Sequence, residues 1–178
     1  MDANKNFDWD AESFFRILTR ANKLAQQNEF VYERVSGLQG FEETLANAQK
    51  KKAFVCVQTE DDGYMAINNA PHTRRVKTVF LAMRYPFNRL DMRSQCFRIM
   101  REVFRQFMSM LIMEKVKLRE NNIYLDERIQ FTEIEPYFAQ GCACAYFQVA
   151  TEVYTDLRFN SEEWNERVFS EEYNKAFY

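Results

Sequence analysis

The chain has 178 residues, enough for one domain of ordinary size with a small appendage, and at 47% apolar and 16% aromatic it can build a core. With only four glycines and three prolines, collagen-like and disordered classes are excluded. A net charge of −2 creates no field that would draw the chain to nucleic acid or a membrane surface, and no run of about 18 apolar residues is present to span a bilayer. Seventeen phenylalanines are more than a core of this size needs, so some are expected at subunit contacts. Met1 to Asp10 is polar and acidic and does not read as a signal peptide. Cys56, Cys96, Cys142 and Cys144 all lie in apolar runs, where a free thiol packs as a small hydrophobe. No disulfides and a reducing compartment are expected.

Asp8 or Asp10 is placed to cap a first helix that runs to about Asn28. Phe14, Ile17, Leu18, Ala21, Leu24 and Ala25 form its apolar stripe, with Arg16, Arg20 and Lys23 alongside. Phe30 to Val35 reads as a short strand, broken by Gly37 and Gly40. Phe41 to Gln49 reads as a short helix ending in Lys50-Lys51-Lys52, a triplet expected to be solvated. Ala53 to Gln58 is a buried strand by its apolar run. Thr59 to Gly63 reads as a turn, on the strength of Asp62-Gly63, and Asn68 to Thr73 as a second turn-rich stretch holding the single histidine, His72. Arg75 to Tyr85 is apolar on both faces, which implies an interior strand or one covered by a partner.

Pro86 ends that strand, and Asn88 or Asp91 is the expected cap of the longest element. This is an amphipathic helix from about Asp91 to Val116, about 39 Å long. Met92, Cys96, Ile99, Met100, Val103, Phe107, Met110 and Leu111 share one face, and Phe97, Phe104 and Met108 widen it, as expected of a helix lying across a sheet. Arg93, Arg98, Arg101 and Arg105 are the candidates for a charged partner face, directed at protein, nucleic-acid phosphate or solvent. That face lacks the interleaved aromatics that stack on single strands.

Asn121-Asn122 breaks the chain, and Ile129 to Phe138 reads as a strand disturbed at Pro136. Ala139-Gln140-Gly141 is the expected hairpin turn. Cys142 to Leu157 then alternates over about 53 Å, well beyond the usual strand of about 5–6 residues. Such a strand must bend or reach a neighbouring copy. Ala145, Phe147, Val149, Thr151 and Val153 fall on one of its faces, and Cys144, Tyr146, Gln148, Glu152 and Tyr154 on the other. Arg158 to Tyr178 mixes glutamates with Phe159, Trp164, Phe169, Tyr173, Phe177 and Tyr178, with Asn160 or Ser161 at the start of a short helix. So many aromatics in a tail read as a docking arm. The candidate subunit interface is therefore Tyr146, Gln148, Glu152 and Tyr154 of the long strand with those six arm aromatics. The expected fold is α+β: an antiparallel or mixed sheet packed on one long central helix. An N-terminal helix precedes it, residues 1–157 form a single domain, and residues 158–178 form the aromatic, acidic arm.

Catalytic signatures are missing. There is no Gly-rich phosphate loop, no GxSxG and no HExxH. Cys142-x-Cys144 is the one close cysteine pair and reads as packing rather than as a metal site. Glu133 and Glu135 share a strand face and read as an exposed edge rather than an acid–base pair. No catalytic, cofactor-binding or metal residue is assigned, and the chain is read as a non-enzyme.

The order of elements resembles that of the tail-terminator and tail-completion (neck) proteins of tailed bacteriophages. The matching pieces are Phe54-Val55-Cys56-Val57, then Thr78 to Pro86, then Asp91 to Met113, then Phe131 to Glu135 through Gly141 to Tyr154. The likeness covers Lys52 to Asp156, and the arm from Arg158 on has no counterpart in the smallest members of that family. The resemblance implies a closed ring, commonly a hexamer, at the head–tail junction. The ring caps the tail tube, joins the head connector, and lets DNA pass through its lumen without specific binding. It implies a virion protein assembled in the bacterial cytoplasm, with no cofactor and no membrane. The alternatives are a small-molecule or peptide-binding α+β module, which predicts a deep aromatic cavity, and an enzyme with His72 beside a carboxylate.

Overall fold

The computed structural model describes residues 9–86, 88–134, 139 and 141–177. Helix α1 (Ala11–Ala21) starts at Asp10, whose carboxylate accepts the Ser13 N–H at 2.9 Å. That bond holds the Asp10 carboxyl below its ordinary range. Asp8, the other candidate cap, lies outside the described residues. The single helix expected as far as Asn28 is in fact broken. Asn22 ends α1 in extended backbone, and its side chain accepts the Ala25 N–H at 2.8 Å to start α2 (Lys23–Gln27). The buried stripe is also rotated from the expected one: Phe15, Leu18 and Thr19 are buried, while Ile17 is 59% exposed. With Phe14 and Phe15 adjacent, periodicity alone fits either choice.

Strand β1 (Phe30–Val35) and strand β2 (Ala53–Gln58) form where expected and pair in parallel. A parallel pair needs a crossover, and helix α3 (Leu38–Asn47) supplies it. Strand β3 (Asp62–Ala66) occupies the stretch read as a turn. It pairs antiparallel with the first half of β4 (His72–Arg84). Gly63 is there for a close approach rather than a bend, since a Cβ at that position would lie 2.0 Å from the Arg74 carbonyl oxygen.

Helix α4 (Leu90–Glu120) has 31 residues and is about 46 Å long, longer at both ends than expected. Neither Asn88 nor Asp91 caps it. The cap residue is Arg89, with no side-chain capping bond, and Asp91 sits in the first turn where the Arg89 guanidinium holds its carboxyl down at about 2. Asn122 follows in left-handed backbone (φ 58°) and leads into β5 (Ile123–Leu125), a strand the periodicity did not reveal. Of the strand expected over Ile129 to Phe138, the structure has β6 (Phe131–Glu133). Residues Glu135 to Phe138 and Gln140 lie outside the described set. Gly141 adopts φ +69°, the positive value expected of the hairpin turn before β7 (Cys142–Tyr154).

Among the described residues the sheet has seven strands, with order β1-β2-β4-β7-β5, β3 also on β4 and β6 also on β7. It separates two apolar layers, so the fold is α+β with a mixed sheet. On one face α1 and α4 cover Val55, Val57, Val79, Leu81, Ala145 and Phe147. On the other face α3 brings Phe41 and Leu45 onto Phe54, Cys56, Phe80, Ala82 and Cys144. This two-sided cover explains why Ala53–Val57 of β2 and Val79–Met83 of β4 are apolar at every position. Arg84, at the end of β4, donates to the Lys51 carbonyl at 2.9 Å and to the Leu45 carbonyl, tying the C-terminus of α3 to the sheet.

Candidate assembly surface

The long strand finds its partner inside its own chain. β7 pairs with β4 over the full length of both, from His72↔Tyr154 to Arg84↔Cys142. Its other edge carries β6 at Ala145–Phe147 and β5 at Thr151–Val153. The strand ends at Tyr154 rather than Leu157, and where it was expected to bend or to reach a neighbour, one of its edges is paired throughout by an equally long β4 of its own chain. The four strand positions proposed for an interface separate accordingly. Tyr146 is half-buried, 6.3 Å from the Phe80 ring. Gln148 donates to Thr78 Oγ1 at 3.3 Å. Glu152 accepts from Arg74 at 2.6 Å. Tyr154, 62% exposed, is the one that most presents itself to solvent.

The four arginines do not form one free face. Arg93 lies half-buried with its guanidinium 4.6 Å from the centre of the Phe97 ring, and it donates to the Ile134 carbonyl at 3.3 Å. Arg101 pairs with Glu133 on β6; Glu135, its partner in the pair read from sequence, lies outside the described residues. Arg105 pairs with Glu102 at 2.7 Å and holds that carboxyl down at about 2. Arg98 is exposed with no ion pair among the described residues.

Between β5, β6 and the open face of β7 lies a polar cleft of about 400 Å³. Arg74 lines it and reaches both Asp126 (2.7 Å) and Glu152 (2.6 Å). Its bond to Asp126 lowers that carboxyl below the ordinary 3.8. The positive charge is therefore matched within the fold. Cys142 and Cys144 lie beneath α3, free and buried, and burial pushes the Cys144 thiol well up. The described residues contain no group of three or more potential metal-ligating side chains. His72 opens β4, with Nδ1 3.0 Å from the Ala70 carbonyl and its ring edge-on to Tyr64.

Two apolar features remain uncovered. The first is the arm. A short 3-10 turn (Ser161–Glu163) leads into α5 (Glu166–Phe177), and no described residue beyond Thr151 is buried. Phe159 is 71% exposed and Trp164 54%. Trp164, Phe169 and Tyr173 form a ladder, with ring centres 6.1 and then 5.3 Å apart. The Phe177 side chain and Tyr178 lie outside the described residues. The second is an open groove of about 460 Å³ along the C-terminal half of α4. Phe104, Met108 and Ile112 form one wall, Leu125 and Ile129 the other, and Lys115 with Glu127 the rim. Ile112, Met113 and Val116 are each more than half exposed beside it. The apolar face read from sequence includes Met110, which is 43% exposed; Phe97 is buried instead. The groove was not legible in the sequence, because its second wall runs from the end of β5 through a segment that periodicity left unassigned to Ile129, where the expected strand began. The surplus width of the α4 stripe at Phe104 and Met108 was the signal available.

No family model matches the chain, and no curated protein matches it. No helix among the described residues is long and apolar enough to cross a membrane.

Proposed function

We propose that this chain is a structural subunit of a tailed bacteriophage, forming a ring at the head–tail junction as a tail-terminator or neck component. The observation that carries the reading is the exposed aromatic arm. Trp164, Phe169 and Tyr173 lie solvent-exposed on one ladder, whereas an isolated domain gains by burying such surface. The element order of the body supports the same reading. Over Lys52 to Asp156, β2 and then, after a polar segment, β4 leading through Pro86 into the long helix α4, followed by β6 and the long β7, run in the order expected of the family that the sequence resembles. In this role the chain acts by assembling with copies of itself, with tail-tube protein and with the head connector. DNA passes through the lumen without specific binding, in keeping with the near-neutral balance of the chain.

The purified full chain, viewed by negative-stain microscopy and weighed by mass photometry, is expected to give closed rings of one copy number. A strictly monomeric protein at high micromolar concentration, with tail-tube protein also added, would overturn the reading.

A further inference from the structure

We propose that the arm of one copy, α5 with Trp164 just before it, seats the Trp164–Phe169–Tyr173 ladder in the groove between α4 and the Leu125–Ile129 segment of a neighbouring copy. The inference rests on the ring reading and names the contact that would close it. Size agrees first. α5 has 12 residues and is about 18 Å long, and the α4 wall from Phe104 to Lys115 runs about 16 Å. Amphipathic helices recognise grooves of this kind through aromatic or aliphatic anchors at three- and four-residue spacing, and Phe169 and Tyr173 are four apart.

Charge agrees second. Helix α4 contains seven basic and four acidic side chains, whereas residues 158–177 contain five acidic and three basic ones. The charges lining the groove, Lys115, Asp126 and Glu127, are paired within the chain, as are Glu171 and Glu172 of the arm, so the complementarity lies in the net signs of the two helices rather than in free charges at the contact. The opposed signs favour this pairing and steer the encounter. Every described side chain of the arm from Arg158 on is exposed, and each copy carries one arm and one groove. Such a heterologous contact passes from copy to copy and closes a ring when the rotation permits.

The test uses two full-length variants that keep the ladder intact, Ile112→Cys in the groove and Ser170→Cys at the exposed position beside Phe169, co-expressed with tags of different size and mildly oxidised. The native thiols are all buried and do not compete. The expected product is a disulfide-linked pair containing one of each variant. Replacing the groove variant with Leu38→Cys, at an exposed position on the α3 side of the sheet, is expected to abolish it. Rings that form without the link between positions 112 and 170, or that link equally through Leu38, would overturn the docking site and leave the ring reading standing. A chain that stays monomeric would overturn both. Independently, Ile112→Glu is expected to raise the concentration needed for assembly about tenfold or more. Its unfolding midpoint should stay unchanged. Unchanged assembly would overturn the proposal.

Discussion

Aromatic side chains meet opposite fates in the body and in the C-terminal arm. In the body, Phe15, Phe41, Phe54, Phe107 and Phe147 are fully buried, and their rings interlock across the sheet and helices. In the arm, Phe159, Trp164, Phe169 and Tyr173 expose between 44% and 71% of their surface. Composition does not separate the two groups. The difference lies in what covers them: the body offers two apolar layers about one sheet, and the arm has only its own short helix. Aromatic burial in this chain thus marks the fold in one region and an unmet contact in the other.

The comparison breaks most visibly at Phe147. Its ring lies 5.6 Å from Phe15 and 5.0 Å from Phe104, between the sheet and two helices. Phe147→Ala removes those contacts and leaves a cavity that close-packed neighbours refill only in part. A loss of about 3–5 kcal/mol is expected in urea unfolding followed by circular dichroism. A loss below about 1 kcal/mol would mean that the body is no better packed than the arm.

The parts of this division that were legible in sequence are those set by local periodicity. β1 and β2 fall where their apolar runs place them, and Gly141 takes the positive φ that the hairpin turn demands. Elements set by long-range pairing were not legible. Asp62-Gly63 has turn composition, yet β4 extends far enough to recruit it as a strand, and glycine permits the close approach. β5 is three residues long, too short for alternation to register. The length of β7 was legible and its partner was not, because β4 begins at His72 within a segment of turn-forming residues. At the candidate site, the arm aromatics were visible as a cluster, but the groove depends on how Leu125 and Ile129 fold back onto α4. Periodicity along one element does not encode that return.

A smaller effect is expected where the body is held by charge instead of aromatics. In the distal half of β4 and β7, Arg74 of β4 reaches Glu152 of β7 and Asp126 just after β5. Arg74 is about a quarter exposed and its acidic partners are more open, so solvent screens the pairs. Arg74→Ala is expected to cost about 1 kcal/mol or less at neutral pH. The Asp126 carboxyl is depressed in the folded chain, so its contribution is present above the ordinary value of 3.8 and is lost as pH falls through the lower folded value. Urea midpoints of wild type and variant should therefore differ at pH 7 and converge under acid conditions below 3.8. A difference that persists there would point to lost packing of the Arg74 stem instead of lost charge.

The smallest effect on stability is expected in the arm itself. Phe169 is half exposed and touches Trp164 and Tyr173, with no buried neighbour on which its loss would open a cavity. Phe169→Ala should change the urea midpoint by no more than about 0.5 kcal/mol equivalent, as for other exposed positions. The same substitution removes the central ring of the ladder, so its effect should appear in assembly followed by mass photometry. A protein that loses several kcal/mol on Phe169→Ala would place the arm within the core, and the division between the two aromatic regions would fail. A variant that remains as stable as the wild type but assembles poorly would show that the exposed aromatics serve a contact between chains rather than the fold of one.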